Sequence, residues 1–535
     1  MTKKILSSVA GSYLLLIATA LVTLFFRFGT LPFVGADEPR YARIAEEMNQ
    51  AGRWITPVLQ GHPWLEKPPL YYWVTIPAYR VFGVSEAVAR LGPALCALLA
   101  AMTVLWLGSK LWSRREGLLA GMILLTAIGF SAYGRSASPD MPLTAAFTIG
   151  LALLAAAAVC GGRPVWQTGT AYAWLGLAVL AKGPVAILLA AGIVLLFWVL
   201  DERGGSLARM HVFWGLAILA VVSLPWFWLV FRENGFSFIT IFFINHNLAR
   251  YVSDIHHHEQ PFYYFVPVLL GLLFPWSGWL LALVPASFGA WLRHWRTWDR
   301  GTVFLACWAL FPFLFFSLSN SKLPGYILPS LPPLALLLGH RLSILEQDSW
   351  KTRRVCGWAC LALAIGAAVA FPFVLARNFG NAWLPGVVLG LVVLLPALVA
   401  FRLFMRDRFR GAVLATVLQG LLLVLAVTQV GFVPLAAYQS AREIAGLALA
   451  ADEDGEPIVT FCFFHHALNY YTGYRVGENF VDPPSLLNYA RRHPRFLVVT
   501  EAPRIGDLKN IRELSVTSLG AQGDLRLLRM ELMDR

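Results

Sequence analysis

Long apolar segments alternate with short polar segments over most of the chain. Each apolar segment approaches the length of roughly 20 residues that an α-helix needs to cross a bilayer. The segments centre on residues 8–26, 86–108, 117–133, 142–160, 170–181, 184–200, 211–230, 263–290, 301–319, 325–340, 355–376, 382–401 and 411–434. This pattern predicts about thirteen membrane-spanning helices, and the shortness of 170–181 leaves the count open by one.

Basic residues collect in the loop that follows every second apolar segment. These loops carry Lys110, Arg114 and Arg115; Arg163; Arg203 and Arg209; Arg293, Arg296 and Arg300; Arg341, Lys351, Arg353 and Arg354; and Arg402, Arg406, Arg408 and Arg410. Short loops rich in Lys and Arg stay in the cytoplasm. The pattern therefore predicts a cytoplasmic N-terminus on an uncleaved first span, and an odd number of spans then places the C-terminus outside.

Two long loops and the C-terminal region lie on the predicted outer side. In the first loop, residues 27–85, Pro39 is suited to begin a helix and Gly52 to end it. Tyr41, Ile44, Ala45 and Met48 fall on one face of that helix, which predicts an amphipathic helix lying on the membrane surface. The second loop, residues 231–262, is rich in aromatic residues, Asn and His.

The last hundred or so residues differ from the rest in composition. Charged residues and prolines return after residue 434, segments 457–463 and 495–499 have strand character, and 487–493 has helix character. We therefore predict a membrane module over 1–434 and a small α/β domain over 435–535 on the outer face. The fold class is a polytopic α-helical membrane protein with that appended domain.

Composition agrees with this fold class and limits the kinds of partner that the protein is expected to bind. Of 535 residues, 58% are hydrophobic and only 14% are charged, with a mean hydropathy of +0.63. A formal charge of +13 would suit a nucleic acid, but the basic residues lie in loops between spans, so we expect no nucleic-acid partner. The six cysteines include no CxxC pair, which argues against a zinc ribbon or a redox motif.

Asp37 and Glu38 are adjacent acids at the start of the predicted surface helix. Helix capping is the simplest explanation, because an acid before Pro39 satisfies free backbone amides and the helix dipole. Two acids in succession also allow one of them to be catalytic, since carboxylates beside hydrocarbon are costly to keep.

Glu66 and Lys67 precede two prolines that fix the backbone. A cation held at headgroup depth suits a phosphate that arrives on a lipid. The alternative is that Lys67 only reaches to ordinary headgroups.

Further charged residues lie at the outer ends of spans. Arg135 and Asp140 belong to GRSASPDMP, where Asp140 could simply cap a helix. Lys182 stands between two apolar runs, and Lys322 has Tyr326 close by in sequence. Because Lys67, Lys182 and Lys322 each lie within two residues of a proline on the outer side, we expect them to converge on one anionic ligand.

The second outer loop contains His246, Arg250 and the run His256, His257, His258 and Glu259. Clustered His and Glu suggest a structural zinc shared with Glu66, with His246 and His256 as the other ligands. A solvated polar loop without metal is the alternative, because adjacent histidines cannot all reach one ion.

Taken together, these motifs resemble the bacterial lipid A aminoarabinose transferase (ArnT-type) family of GT-C glycosyltransferases, which is related to the protein O-mannosyltransferases. The matching segments are DEPRYA (37–42), GRWITPVLQGHPWLEKPPLYYW (52–73), RSASPDMPLT (135–144), LAVLAKGP (177–184), HNLARY (246–251), QPFYYF (260–265), PWSGW (275–279) and SKLPGYILP (321–329). The resemblance implies two juxtamembrane helices, a periplasmic C-terminal domain, the bacterial inner membrane as location and an undecaprenyl-phosphate-linked sugar donor. Trp64 and Leu65 depart from the family's usual Tyr-Phe.

The resemblance also implies roles for particular residues. Asp37 and Asp140 match the family's two acidic motifs and are the expected catalytic residues, while Lys67 matches the lysine implicated in binding the donor phosphate. The other residues expected to bind substrate are Glu38, Arg40, Tyr41, Glu66, Arg135, Lys182, Arg250, Lys322 and Tyr326.

The expected reaction is inverting transfer of 4-amino-4-deoxy-L-arabinose, or a related sugar, to lipid A or a similar periplasmic acceptor among the membrane lipids. The chemistry requires no cofactor. Three alternatives remain at this point. One is a protein O-glycosyltransferase that uses a polyprenyl-phosphate donor, and another is a non-enzymatic lipid-binding or assembly protein. The third is a flippase or transporter of lipid-linked sugars, although no internal repeat supports it.

Overall fold

The computed structural model describes residues 8–161, 165–201, 204, 206–249, 260–284, 298–345, 350–380, 382–452 and 455–533. Within these ranges, eight helices are long and apolar enough to cross a membrane, or ten if each of two bent helix pairs is counted as one span. The chain is thus a multi-pass helical membrane protein, as predicted. The number of thirteen spans stays a prediction.

Helices correspond to all thirteen predicted apolar segments. In chain order they are α1 (Val9–Ala20, continued by the π-helix Leu21–Phe25), α4 (Glu86–Leu111), α5 (Arg114–Thr126) with α6 (Ile128–Gly134), α7 (Asp140–Cys160), α8 (Val165–Lys182), α9 (Val185–Leu200), α10 (Ser206–Met210) with α11 (Val212–Asn234), α13 (Phe265–Leu273) with the 3-10 helix Trp276–Leu283, α14 (Arg300–Ser317), the 3-10 helix Pro324–Ser330 with α15 (Leu331–Leu345), α16 (Trp350–Asn378), α17 (Trp383–Met405), and α18 (Phe409–Ala426) with the π-helix Val427–Gly431 and α19 (Phe432–Gln439). Helix α7 is the most enclosed by its neighbours, whereas α16 is mostly open on its outer face.

Small residues bring the helices α4 and α5 into direct contact. A Cβ atom added to Gly108 of α4 would lie 2.6 Å from the Cα of Gly117 on α5. The two backbones therefore touch, as in membrane helix pairs with small residues at their interface. Only the short turn around Ser113, which caps α5 by accepting from the Glu116 amide, separates the two helices.

The first outer loop folds into a helical layer at one end of the bundle. It contains α2 (Asp37–Gln50), the short hairpin of β1 (Val58–Leu59) and β2 (His62–Pro63), and α3 (Leu70–Phe82). The second outer loop contains α12 (Phe236–Phe238) and the π-helix Ile239–Ala249.

The structure corrects the predicted surface helix in two respects. Helix α2 begins at Asp37 rather than at Pro39, and it ends at Gln50, shortly before Gly52. Its predicted apolar face, which contains Tyr41, Ile44, Ala45 and Met48, is buried. However, that face packs against α3 and against tyrosines of the C-terminal domain, so protein rather than lipid covers it.

The C-terminal domain is a five-stranded sheet with helices, on the same side of the bundle as α2. Its elements are α20 (Arg442–Ala451), β3 (Ile458–Phe461), α21 (His466–Tyr471), β4 (Val476–Phe480), α22 (Pro483–Ala490), β5 (Arg495–Glu501), the 3-10 helix Ala502–Arg504, α23 (Ile505–Lys509), β6 (Leu514–Gln522) and β7 (Leu525–Leu532). The strand order is β4-β3-β5-β7-β6, with β3 parallel to β4 and β5 and the remaining pairs antiparallel.

The two strands predicted from the sequence correspond to β3 and β5. The helix predicted over 487–493 is shifted, because α22 begins at Pro483, with Asp482 as its cap, and ends at Ala490 before His493 and Pro494. Apolar clusters on both faces of the sheet form the core of this domain.

Candidate active site

Asp37 lies in the first turn of α2, and its side chain is 63% exposed. The residue before it, Ala36, provides no side-chain cap. Within the described part of the chain, the Asp37 carboxylate accepts hydrogen bonds from the Arg40 guanidinium and from no backbone amide. Its negative charge still suits the helix N-terminus. The hydrogen-bonded cap that the sequence suggested is therefore not formed, and the carboxylate remains open to solvent.

Glu38 occupies a different environment, although it is the next residue. Its side chain is buried and accepts from Arg90 through Nε and Nη2, both at 2.8 Å. It also accepts from the amide of Ala137 at 2.9 Å and from the amide of Val34 at 3.2 Å. Both carboxylate oxygens are thus occupied. We therefore propose a structural role for Glu38, in place of the substrate binding expected from the sequence.

Arg40 connects Asp37 to the aromatic residues beside it. Its guanidinium carbon is 5.2 Å from the ring centroid of Tyr41 and 5.2 Å from that of Trp64. Burial lowers the pKa of Arg40, but Tyr41, Asp37 and Glu66 together outweigh that effect and raise it. Arg40 is therefore a fixed cation in a partly desolvated, acidic environment.

Tyr41 lies within electrostatic range of both acidic motifs. Its side chain is buried, and this burial raises the pKa of the phenol, with Asp37 and Asp140 contributing in the same direction. The structure therefore brings Asp37 from α2 and Asp140 from α7 near one buried tyrosine. These motifs are a hundred residues apart in sequence.

Asp140 begins α7 and forms an ion pair with Lys182 at the last position of α8. The Lys182 Nζ atom also lies 5.1 Å from the ring centroid of Tyr326. An acid at a helix N-terminus and a lysine at a helix C-terminus both favour the helix dipoles. Both side chains remain partly exposed, at 21% for Asp140 and 17% for Lys182.

Two other predicted cations bind backbone carbonyl groups. Arg135 donates to the carbonyl oxygens of Thr23 at 3.2 Å and Phe26 at 2.6 Å, at the end of the first membrane helix. Lys322 is buried and donates to the carbonyl of Gln260 at 2.9 Å and to that of Ser319. These contacts fix both side chains, and a direct role in binding substrate stays a prediction for each.

Lys67 is half-buried between the β1–β2 hairpin and α3. Its neighbour Glu66 lies 3.5 Å from Nε2 of His246, measured from Oε1. Among the described residues, no group of three His, Cys, Asp or Glu side chains is placed to hold a metal ion. Arg250 and His256 lie outside the described residues, so the predicted zinc ligand set is represented here only by Glu66 and His246.

Several residues around the site were not predicted from the sequence. Arg90 is one of them, and its position inside the apolar run 86–108 was an available signal, since a charge within a span usually has a partner. The C-terminal domain contributes Tyr471, Tyr474 and His466, which lie against the region of α2. No motif in that domain pointed to them.

Comparison with known families matches residues 66–228 to the family model described as dolichyl-phosphate-mannose-protein mannosyltransferase. The matched range includes Lys67, Arg135, Asp140 and Lys182, but not Asp37.

Curated relatives give longer matches. The undecaprenyl phosphate-alpha-4-amino-4-deoxy-L-arabinose arabinosyl transferase of Edwardsiella ictaluri is 33% identical over 372 residues, which are 66% of this chain and 65% of that protein. The protein of the same name from Pectobacterium atrosepticum is 32% identical over 377 residues, 66% of each chain. The chain therefore spans just under two thirds of the length of these relatives.

Solved structures match over nearly the whole chain. ArnT from Cupriavidus metallidurans bound to undecaprenyl phosphate has a TM-score of 0.80 at 24% identity, covering 98% of both chains. The archaeal oligosaccharyltransferase AglB from Archaeoglobus fulgidus has a TM-score of 0.54 at 13% identity, covering 92% of this chain and 70% of that one. At these identities the matches show a shared fold.

Proposed function

Because this chain belongs to the ArnT-type family of GT-C glycosyltransferases, we propose that it transfers a sugar from undecaprenyl phosphate to an acceptor at the outer face of the membrane. The observation that supports this most directly is that Asp37 and Asp140 both act electrostatically on the buried phenol of Tyr41, with Arg40 paired to Asp37 and Lys182 paired to Asp140. The sugar is 4-amino-4-deoxy-L-arabinose, which the names of the relatives give. The acceptor is lipid A, which only the resemblance of the motifs implies.

The sugar is transferred in a single displacement step. An oxygen of the acceptor attacks the anomeric carbon of the sugar, and the bond from that carbon to the phosphate oxygen breaks. Its electron pair stays on undecaprenyl phosphate, which leaves with an added negative charge. Fixed cations near that phosphate stabilise the charge as it develops. Lys67 and Lys182 are the candidates, and the Asp140 carboxylate holds Lys182 in position.

Asp37 acts on the acceptor rather than on the leaving group. Its exposed carboxylate, with Arg40 as partner, is free to approach a substrate. If the acceptor is a hydroxyl, Asp37 takes its proton as general base. If the acceptor is a lipid A phosphate, no proton needs to move; Arg40 then pairs with that phosphate, and Asp37 orients Arg40.

A structural zinc ion is a separate proposal. Glu66 and His246 supply a carboxylate and an imidazole of the type that binds Zn²⁺, and a four-coordinate structural site requires two further ligands. The transfer step described above uses no metal. Zinc would fix the loop that carries Lys67.

We further propose that the site and the C-terminal domain face the periplasm, with the chain in the inner membrane. The distribution of basic loops supports this orientation. Alkaline phosphatase fused after the C-terminus should be active in cells, and a fusion in the basic loop near Arg408 should be inactive. An inactive C-terminal fusion at normal protein levels would refute the orientation.

The activity is tested with purified protein in sealed proteoliposomes, supplied with undecaprenyl-phosphate aminoarabinose and lipid A. We expect mass spectrometry to show aminoarabinose on lipid A with the wild type and far less with Asp37→Asn. Donor that crosses the bilayer without transfer of its sugar would instead indicate a flippase.

Protein O-glycosylation is the second candidate, because the matched family model is described as a protein mannosyltransferase. Mass spectrometry of periplasmic proteins and of lipid A, from cells with and without the gene, separates the two. Sugar on proteins alone would favour this second candidate and exclude lipid A as acceptor.

A further inference from the structure

The C-terminal domain reaches the base of α2 through Tyr471, the last residue of α21. The Tyr471 hydroxyl accepts a hydrogen bond from the amide of Phe33 at 2.7 Å and donates to Oε1 of Glu86 at 3.1 Å. Burial, reinforced by Glu86, raises the pKa of Tyr471, so the phenol stays protonated and keeps its donor. Arg442, also from the C-terminal domain, lies 3.5 Å from the same Glu86 oxygen.

The segment that Tyr471 holds is continuous with the catalytic end of α2. Phe33 is fully buried, and its ring lies 5.1 Å from the Arg90 guanidinium carbon. Arg90 donates to the carbonyl oxygens of Leu31 at 2.6 Å and Pro32 at 2.9 Å, and it also binds Glu38. Residues 31–38 are thus fixed from one side by Arg90 of the membrane module and from the other by Tyr471 of the C-terminal domain.

A second contact with the domain lies within α2 itself, six residues after Asp37. The Arg43 guanidinium carbon is 3.6 Å from the ring centroid of Tyr474. Arg43 also donates to Glu47 at 2.7 Å and pairs with Glu46 at 3.1 Å, so its orientation along the helix is set. A cation this close to the face of an aromatic ring is attracted by the ring's electrons. Two independent contacts therefore couple α2 to the C-terminal domain.

From this arrangement we propose that the C-terminal domain sets the position of Asp37, and that Tyr471 is a positioning residue for the transfer reaction. The proposal rests on the catalytic role proposed for Asp37. Asp37 has no buried contact of its own, so the segment before it and the helix after it determine where its carboxylate lies. Loss of the Tyr471 hydroxyl leaves the buried amide of Phe33 without its partner and allows that segment to shift.

The test compares Tyr471→Phe with Tyr489→Phe in the full-length protein. Tyr489 belongs to α22 and packs in a separate apolar cluster of the same domain. A displacement of about 1 Å at a reacting group can lower a rate by up to roughly 10²-fold. We expect Tyr471→Phe to lower kcat roughly tenfold, within that limit, while the donor KM stays near wild type. The thermal unfolding temperature should fall only slightly, because one buried amide loses its partner. Tyr489→Phe should leave kcat unchanged.

Two further readouts separate positioning from a general loss of structure. Hydrogen exchange at the Phe33 amide should accelerate in Tyr471→Phe. In an Asp37→Asn background, Tyr471→Phe should have no further effect on the residual rate, because there is no carboxylate left to position. Arg43→Gln, which removes the cation from the Tyr474 ring, should produce a smaller fall in kcat with the same dependence on Asp37. If Tyr471→Phe does not fold, the kcat of Arg43→Gln tests the positioning role instead.

The possible results distinguish a failure of the positioning role from a failure of the catalytic role of Asp37. If Asp37→Asn is inactive while Tyr471→Phe and Arg43→Gln keep kcat within twofold of wild type, the positioning role is wrong and the proposed function stands. If Asp37→Asn itself transfers sugar at a normal rate, the catalytic assignment fails, and the positioning role fails with it.

Discussion

Asp37 and Glu38 are consecutive acids in one helical turn, yet they belong to two different regions of the molecule. The Asp37 side chain is 63% exposed, with Arg40 as its partner, in the region near Asp140 and Lys182. The Glu38 side chain is 7% exposed and accepts from Arg90, Val34 and Ala137, which join α2 to α4 and to the loop before α7. The first region is open to a ligand, and the second is closed.

The difference shows how burial assigns roles to residues of the same chemistry. A buried carboxylate is tolerated only when a cation and hydrogen-bond donors satisfy it, and these partners then occupy the oxygens that a substrate would need. A partly exposed carboxylate retains that capacity. The open region is therefore expected to govern rate, and the closed region to govern folding.

Asp37→Asn should separate the two regions most clearly. Asn suits a helix start about as well as Asp, but it can neither accept a proton nor provide the charge for Arg40. A general base contributes a factor of roughly 10²–10⁴, so we expect transfer to fall by that amount while thermal stability stays near wild type.

The matched control for Asp37 is Asp507→Asn, which removes an exposed carboxylate in the first turn of α23 that pairs with Arg504, also three residues away. It should keep most of the transfer activity. Normal transfer by Asp37→Asn at saturating donor would show that the open region does not govern the rate of transfer.

Glu38→Gln should give the opposite phenotype. It leaves the Arg90 charge buried without its counterion, a loss of about 3–5 kcal/mol in the free energy of unfolding. We expect a marked fall in the thermal unfolding temperature and in the protein level, measured in detergent. A variant that is as stable as wild type but inactive would instead assign Glu38 to the open region.

Lys67→Ala tests whether a cation beside the open region binds the donor. A hydrogen bond to a charged group contributes about 1.5–3 kcal/mol, so donor KM should rise by roughly 10- to 150-fold. Lys110→Ala, at the last turn of α4 on the predicted cytoplasmic side, is the control. An unchanged donor KM in Lys67→Ala would remove this residue from the donor site.

The smallest effect concerns His466 of the C-terminal domain. Burial, Arg40 and His465 lower its pKa to about 4. Between about pH 6.5 and pH 4 the unfolded chain binds a proton that the folded protein does not, so stability should fall as the pH falls through this range. Since the side chain is partly exposed, we expect about 1 kcal/mol.

Thermal unfolding at pH 7.5 and pH 5 measures this dependence on His466. His466→Asn should flatten it, and His493→Asn is the control because His493 stacks on Tyr489 at a distance from Arg40. Equal pH dependence in wild type and His466→Asn would show that burial does not lower the pKa of His466 in the folded protein.

The sequence was most informative where the deciding interactions are local. Within the described ranges, apolar length predicted each helix that is long and apolar enough to cross a membrane, and the spacing of Tyr41, Ile44, Ala45 and Met48 predicted the buried face of α2. What covers that face was predicted wrongly, because a helix pattern shows that one face is apolar without showing whether lipid or protein lies against it.

Contacts between distant residues had no such local signal. The pair of Asp140 with Lys182 and the hydrogen bond from Phe33 to Tyr471 depend on how the helices and the C-terminal domain pack. Glu38 was grouped with Asp37 because a sequence does not show which of two adjacent acids faces an arginine such as Arg90. The resemblance to a family pointed to both acids, and packing gives them different burial and different partners.

The contact between Gly108 and Gly117 has a consequence for biogenesis. Helices α4 and α5 are joined by the turn at Ser113, so their close contact needs no later part of the chain. This hairpin can form as soon as both helices have left the translocon, and later helices then add to a completed pair. A bulky side chain at Gly117 would therefore prevent this helix pair from forming during synthesis. We expect quality-control proteases to degrade such a variant, so its effect would be seen in the protein level rather than in the rate of sugar transfer.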